Sequence, residues 1–172
     1  FVAAGKKSVA SLNNEIPQNI IIKTFPQNEY LKLLSNAEYL FTSPGLNAVF
    51  EGMYYGSKLI FLPPQNASQI LQLKYYEEAE LLKRGLNLTE FSNNFQSLQD
   101  INLDEKKLTQ EVLNALNKIE NNETIKKRIA NHIREQIDNV NTSNYTTKIR
   151  ILLDNFGKSG AKIIANQISK WF

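Results

Sequence analysis

The stretch from Thr42 to Gln69 places the tightest constraint on what this chain can fold into. The letters E-Y-L-F just before it are short and apolar, as in a buried strand, and S-P-G then breaks that strand with turn residues. A helical spacing of apolar residues follows at Leu46, Val49, Phe50 and Met53. A second apolar run, L-I-F-L, leads through P-P-Q-N-A-S-Q into another helix. The stretch therefore predicts two consecutive strand–turn–helix units.

Polar side chains lie at both strand-to-helix turns of this stretch. Asn47 and Glu51 are four residues apart, so they share one face of the first helix. The start of that helix offers unpaired N–H groups and a partial positive charge, which suit a phosphate. The Glu51 carboxylate can accept two hydroxyl protons from a ribose. Because the carboxyl ends of parallel strands meet at one edge of a sheet, both turns are predicted to lie together in a ligand site.

Strands and helices alternate over the first half of the chain, and helices alone follow. The predicted strands cover residues 1–4, 19–25, 38–42 and 59–62, with a further short one at 86–88. The predicted helices lie within residues 6–14, 26–36, 46–55 and 67–83, and then at 104–120, 123–139, 143–155 and 159–171. We predict an α/β fold, a Rossmann-like parallel sheet with flanking helices. One domain covers 1–172, and its residues 104–172 form a helical C-terminal extension.

Composition limits the classes of function that are open to the chain. Its 172 residues, 42% hydrophobic and 22% charged, suffice for one core. The net charge of +3 comes without a basic tract, so no nucleic-acid partner is expected. The lack of cysteine excludes thiolate sites, and with no signal-peptide or membrane-span pattern it favours a cytoplasmic protein. The opening F-V-A-A-G resembles the end of a buried strand, from which we expect a piece of a larger protein.

Three sequence blocks in a fixed order carry a resemblance to a known family. They are P-Q-x-x-x-L at 26–31, G-x-N-x-x-x-E at 45–51 and P-x-x-x-[D/S]-Q at 64–69. The chain resembles the C-terminal, nucleotide-sugar-binding domain of GT-B glycosyltransferases. It is similar to the branch that holds the lipid II-forming GlcNAc transferase, the small-molecule UDP-glycosyltransferases and the cytosylglucuronate synthase-like proteins.

The resemblance implies a function and a set of donor-binding residues. The strand end at Phe25 would contact the base, the backbone from Gly45 the diphosphate, Glu51 the ribose and the loop 64–69 the sugar. The implied donor-binding residues are Phe25, Gln27, Ser43, Gly45, Leu46, Asn47, Ala48, Glu51, Gln65, Asn66, Ser68 and Gln69. A UDP-sugar would be the substrate, with no metal or other cofactor. The acceptor site and the unknown general base would belong to an N-terminal domain of the same protein.

Some positions depart from the family pattern. Ser43 stands where many members have histidine near the diphosphate, and Ser68 stands where many have aspartate in the sugar loop. Thr24 and Phe25 replace a tryptophan over the base, and Lys58 replaces a proline. These departures leave the identity of the transferred sugar open. The terminal run 168–172 is expected to pack on the N-terminal domain, with contact to a membrane surface as the alternative.

Simpler interpretations remain beside these. Glu51 fits a solvated helix carboxylate, Asn47 a capping residue of the first helix, and Ser68 a cap of the second. An epimerase of the same fold is an alternative function, although it would need a histidine in the cleft and the lone His132 lies far from the motifs. A non-catalytic donor-binding subunit of a split transferase is another.

Overall fold

The computed structural model describes residues 1–10, 16–86, 105–142 and 144–156, without the side chains of 105, 108, 142, 155 and 156. Its elements are β1 (Val2–Ala3), α1 (Lys6–Ala10), β2 (Ile22–Lys23), α2 (Gln27–Leu34), β3 (Tyr39–Thr42), α3 (Leu46–Tyr55), β4 (Lys58–Phe61), α4 (Ala67–Glu78), α5 (Glu105–Glu120), α6 (Glu123–Thr142) and α7 (Tyr145–Phe156). The predicted mixed α/β class is confirmed. None of the helices described is both long and apolar enough to span a membrane.

The described strands form two separate parallel pairs. β1 pairs with β2, and β3 pairs with β4 in a register that runs from Tyr39 opposite Lys58 to Thr42 opposite Phe61. The predicted parallel direction is therefore confirmed. The prediction of one continuous sheet is not met by these residues, because β1 and β3 belong to different sheets.

Helix α3 has the bounds that the sequence predicts, because its start and stop signals are local. It begins after the extended Gly45 and ends at Gly56, whose φ of 78° is left-handed. The amide of Ser57 donates to the Gly52 carbonyl at 2.9 Å and that of Gly56 to the Met53 carbonyl at 3.1 Å, which pairs the last carbonyls of the helix.

Two of the predicted elements are several residues shorter in the structure than predicted. The strand predicted at 19–25 is reduced to Ile22–Lys23, since its partner β1 is only two residues long. The helix predicted to reach Lys83 ends at Glu78. Glu80 takes a left-handed φ of 55°, and the amide of Leu81 donates back to the Tyr76 carbonyl at 3.0 Å. A glutamate at this position does not predict the end of a helix. Gly85 does, and it led to the prediction of a helix end that is too late.

Helices α6 and α7 contribute to the main core, whereas α5 packs in a separate, smaller cluster. Helices α5, α6 and α7 match the predictions for 104–120, 123–139 and 143–155, with α6 running three residues further. Val140, Tyr145, Ile149 and Leu152 of α6 and α7 join the apolar cluster around β4. The helix predicted at 159–171 and most of the strand predicted at 86–88 lie outside the described residues, and so does 168–172.

Side chains from α6 and α7 form hydrogen bonds with the backbone of β4 on its outer edge, the side away from β3. The buried Gln136 accepts from the Phe61 amide at 2.8 Å and donates to the Phe61 carbonyl at 2.9 Å, as a neighbouring strand would. The Tyr145 hydroxyl accepts from the Leu59 amide at 2.9 Å. Burial raises the pKa of Tyr145 above its ordinary value, so this hydroxyl stays neutral. Among the described elements, α6 and α7 rather than a further strand therefore cover the outer edge of β4.

Gly56 and Glu80, which follow α3 and α4 with left-handed backbone, allow a paired test of stability. Gly56→Ala is expected to lower the free energy of unfolding by about 1 kcal/mol, because alanine is strained at this φ. Apart from its two chain neighbours, no atom of the described residues lies within 4 Å of the added Cβ, so packing against the rest of that structure does not contribute. Glu80→Gly should be more stable than Glu80→Gln, since both lose the ion pair with Lys148 and only the glycine relieves strain. Urea denaturation measures both, and the opposite order at either helix end would contradict the account.

Candidate functional site

The two predicted strand-to-helix turns meet in one groove of about 320 Å³. Its walls come from the starts of α3 and α4 and comprise Gly45, Leu46, Asn47, Ala48, Asn66, Ser68, Gln69 and Gln72. Seven of these eight are among the residues predicted from sequence. Gln72 is the addition, and its spacing of three from Gln69 on a helix was the available signal.

Within the part of the chain that the structure describes, no side chain caps the start of α3. Gly45 precedes the helix with extended backbone, φ −91° and ψ 147°, and no cap hydrogen bond reaches it. The amides of the first turn, Leu46 to Ala48, have no intrahelical acceptor, since helical bonding begins with the Val49 amide on the Gly45 carbonyl at 3.2 Å. Asn47 lies inside the helix and is exposed, so it does not serve as the cap. These amides are oriented to bind an anion.

At the start of α4, a side chain of the same turn caps the helix. The Asn66 side-chain oxygen accepts from the Gln69 amide at 3.0 Å and from the Ser68 hydroxyl at 2.8 Å. Asn66, rather than Ser68, is therefore the cap of this helix, which corrects the simpler interpretation of Ser68. The difference between the two helix starts makes α3 the better place for a negative charge.

The Gln69 side chain is held with its amino group towards the start of α3. Its Oε1 accepts from the Gln65 amide at 2.7 Å. Its Nε2 lies 3.6 Å from the point where a Cβ on Gly45 would sit. Gln65 contributes its backbone to this arrangement, and its own side chain is exposed. A fixed N–H₂ donor therefore stands beside the unpaired amides of α3.

Ser43 joins the two turns. Its hydroxyl donates to the Pro63 carbonyl at 3.0 Å, across the carboxyl ends of β3 and β4. The Thr42 hydroxyl donates to the Ser43 carbonyl at 3.0 Å, which fixes the same turn from the strand side. Ser43 stands where the family resemblance would place a histidine. In this chain its hydroxyl instead joins the two turns by a hydrogen bond to the Pro63 carbonyl.

Glu51 is held by the first sequence block. Gln27 Nε2 donates to Glu51 Oε1 at 3.0 Å, and the Glu51 residue is half-buried. Burial, with the nearby Glu51 charge, raises the pKa of Tyr30. The carboxylate is thus oriented rather than freely solvated, and its second oxygen has no described partner. No single sequence pattern predicts the contact between Gln27 and Glu51, because it joins two elements.

Phe25 lines a larger cavity of about 840 Å³ that adjoins the groove. The two spaces share Gly45, Ala48 and Gln69 among their walls. The Phe25 ring meets the Phe1 ring edge-on with centroids 6.3 Å apart, and the Lys23 ammonium lies 4.7 Å from its centre. Phe25 thus follows β2 and lines the cavity that adjoins the groove, with the Lys23 ammonium over its ring.

No protein-family model, curated protein or solved structure matches this chain. The chemistry of the groove is accordingly what bears on function. Its walls offer backbone amides and neutral amide side chains, with the Glu51 carboxylate one helical turn away. Across the described residues, no three histidine, aspartate or glutamate side chains cluster as they would to hold a metal.

His132 lies in a different part of the molecule. It lines a separate cavity of about 230 Å³ together with Gln136 and Tyr145. Its Nδ1 is 4.0 Å from the Glu135 carboxylate, and its buried Nε2 has no partner among the residues described. The groove therefore has no histidine of its own in the described chain.

Proposed function

We propose that the groove between the starts of α3 and α4 binds the diphosphate of a nucleotide sugar, most specifically a UDP-sugar. The chain would be the donor-binding part of a glycosyltransferase with a GT-B architecture, in which the strand pairs belong to one Rossmann-like sheet. The observation that carries this proposal is the uncapped start of α3 facing the amino group of Gln69. The position of the groove, at the carboxyl ends of the parallel strands β3 and β4, supports the same assignment.

The diphosphate lies against the first turn of α3. The amides of Leu46 to Ala48 donate to its oxygens, and Gly45 allows the close approach of a phosphate because it has no side chain. Gln69 Nε2 donates from the other wall. Among the described residues, no lysine or arginine lines the groove, so in this part of the chain the charge is stabilised by oriented dipoles rather than by ion pairs.

The ribose lies beside Glu51. A carboxylate with one oxygen held by Gln27 Nε2 presents the other to the hydroxyls of the sugar ring. Charge-assisted bonds of this kind are shorter and stronger than bonds between neutral groups. Phe25 offers its ring to the base, and Asn66, Ser68, Gln69 and Gln72 lie where the transferred sugar would extend.

The reaction is transfer of a glycosyl group. The bond from the anomeric carbon to the phosphate oxygen breaks, and an acceptor oxygen or nitrogen bonds to that carbon. Negative charge develops on the departing UDP, and the α3 amides and Gln69 stabilise it. A base on the acceptor-binding domain takes the proton of the acceptor. This chain by itself is therefore expected to bind UDP weakly and to transfer nothing. In the proposed enzyme it would work in the cytoplasm, together with the acceptor-binding domain.

Replacing Glu51 tests the ribose contact. Wild-type chain is expected to bind UDP in the millimolar range, which is about −4 kcal/mol. Glu51→Ala should weaken binding at least about tenfold, because bonds from a charged acceptor to two hydroxyls are lost. Isothermal calorimetry or ligand-observed NMR measures this affinity.

Glu78→Ala is the matched control for charge. Glu78 ends α4, about 16 Å along that helix from its start at the groove. The Glu78→Ala substitution removes one negative charge, as Glu51→Ala does, but from an exposed side chain outside the groove. It should leave UDP affinity unchanged. The assignment of the groove fails if wild-type chain does not bind UDP at millimolar concentration, or if the two variants weaken binding equally.

A further inference from the structure

One side chain lies between the two walls of the groove. Gln69 belongs to the first turn of α4, and its side-chain oxygen accepts from the Gln65 amide at 2.7 Å. Its Nε2 lies on the α3 side, 3.6 Å from the point where a Cβ on Gly45 would sit. The same amide group therefore holds the loop before α4 and reaches the place where the diphosphate is proposed to bind.

The direction of this amide group is fixed by its partner. A backbone N–H can only donate, so the atom that meets the Gln65 amide must be the side-chain oxygen. Oxygen and nitrogen stand on opposite sides of the amide group, and Nε2 is accordingly turned away from the loop. Among the residues described, Nε2 has no acceptor. Its N–H hydrogens remain available to a ligand oxygen.

Two side-chain hydrogen bonds hold the loop of residues 63–66. The loop begins with two prolines, which have no N–H, so Gln65 carries its first backbone donor. That donor is the one bound by Gln69. Nearer its start, the Pro63 carbonyl accepts from the Ser43 hydroxyl at 3.0 Å. The loop is thus tied to the turn after β3 at one end and to α4 at the other.

The other amide side chains at the start of α4 do not link the two walls in this way. Asn66 Oδ1 accepts from the Gln69 amide at 3.0 Å and from the Ser68 hydroxyl at 2.8 Å, so its bonds stay within one helix start. Gln72 Oε1 is buried and has no hydrogen-bond partner in the described part of the chain. Gln69 is therefore the amide of this wall that is placed to connect a ligand with the loop.

A phosphate oxygen bound to Gln69 Nε2 strengthens the bond at Oε1. Hydrogen bonds linked in series polarise one another, and bonds to an anionic acceptor are the stronger ones. Binding also restricts rotation of the Gln69 side chain, whose movement would release the Gln65 amide. Both effects favour a single position of the loop.

We propose that Gln69 is a positioning residue, which couples binding of the diphosphate to ordering of the loop 63–66. Asn66, the last residue of this loop, lines the groove where the transferred sugar would extend. The diphosphate thereby fixes the sugar side of the groove, and the site favours sugars that are linked to a diphosphate. This inference rests on the proposed function and adds to it an order of events within the groove.

Amide exchange at Gln65 tests the coupling. UDP, added to the full chain above its Kd, is expected to slow exchange of this amide at least about fivefold, as followed by NMR. The Gly85 amide is the internal control, because it also donates to a side chain, that of Glu77, and neither residue lines the groove. Its exchange should not change. Uridine lacks the diphosphate and should leave exchange at Gln65 unchanged.

Two variants separate the two ends of the Gln69 side chain. Gln69→Glu keeps an oxygen for the Gln65 amide and loses the N–H donors, so exchange in the ligand-free chain should stay within about twofold of wild type while the response to UDP is lost. Gln69→Leu loses both contacts, and Gln65 should exchange faster even without UDP. Gln110→Glu makes the same replacement at an exposed site of α5 and should keep the wild-type response.

Three results would overturn the coupling and leave the nucleotide site in place. They are binding of UDP without slower exchange at Gln65, equal slowing by uridine, and slowing by UDP that persists in Gln69→Leu. If UDP does not bind to wild-type chain at all, the proposed function fails and this inference fails with it. The binding measurement on wild-type chain therefore distinguishes the two failures, whether or not the variants fold.

Discussion

Replacing Gln136 with leucine is expected to lower the free energy of unfolding by about 2 to 5 kcal/mol. Gln136 is 5% exposed, and its amide bonds both the N–H and the C=O of Phe61, which is itself fully buried. Leucine cannot replace either bond, and each buried backbone group left unpaired costs about 1 to 3 kcal/mol. Urea denaturation followed by circular dichroism measures the loss.

Two further variants show whether the effect comes from the strand edge. Gln110→Leu makes the same replacement at an exposed site of α5 and should change stability by less than about 0.5 kcal/mol. Tyr145→Phe removes the acceptor of the Leu59 amide and should cost about 1 to 2 kcal/mol. Wild-type stability in Gln136→Leu would show that the edge of β4 does not depend on this side chain.

Tyr76→Phe is the control for loss of a hydroxyl. Burial raises the pKa of Tyr76 to about 12, and its hydroxyl is buried without a partner among the described residues. Removing this hydroxyl breaks no described bond, so the variant should be at least as stable as wild type. A loss equal to that of Tyr145→Phe would mean that any buried tyrosine hydroxyl is needed, whatever its contacts.

The contrast between α3 and α6 explains what sequence can predict in this fold. The bounds of α3 follow from Gly45 and Gly56, which are signals within the helix or beside it. Gln136 pairs the backbone of Phe61, which lies 75 positions away in the sequence. The pattern of polar residues in α6 does not predict this contact. For this reason the sequence marks α6 as part of an extension, whereas the structure places it against β4.

The same distinction applies to the groove. Turn residues and helical spacing predict that the starts of α3 and α4 carry polar groups, and the structure brings those groups together. Which asparagine or serine caps α4, and which amide turns towards Gly45, depends on side-chain hydrogen bonds between Asn66, Ser68, Gln69 and Gln65. Such bonds have alternatives of similar energy, so residue type alone does not choose among them.

Gly45→Ala is expected to weaken UDP binding at least about tenfold while the fold is retained. The φ of −91° at Gly45 is ordinary for alanine, so the backbone is not strained. The added methyl would lie 3.6 Å from Gln69 Nε2 and 3.9 Å from the Ser43 carbonyl, which are normal contacts. It would, however, occupy the space through which a phosphate approaches the first amides of α3, and a tenfold loss corresponds to about 1.4 kcal/mol.

Gly52→Ala should give the opposite pattern and is the matched control. Its Cβ would lie 2.7 Å from the ends of both Leu40 and Leu59, so the core must shift at a cost of about 1 to 3 kcal/mol. Gly52 does not line the groove, and UDP affinity should stay within twofold of wild type while the variant is folded. Calorimetry with UDP and urea denaturation are run on both proteins. Wild-type affinity in Gly45→Ala would place the diphosphate away from the start of α3, because a methyl group there could not then lie between ligand and amides.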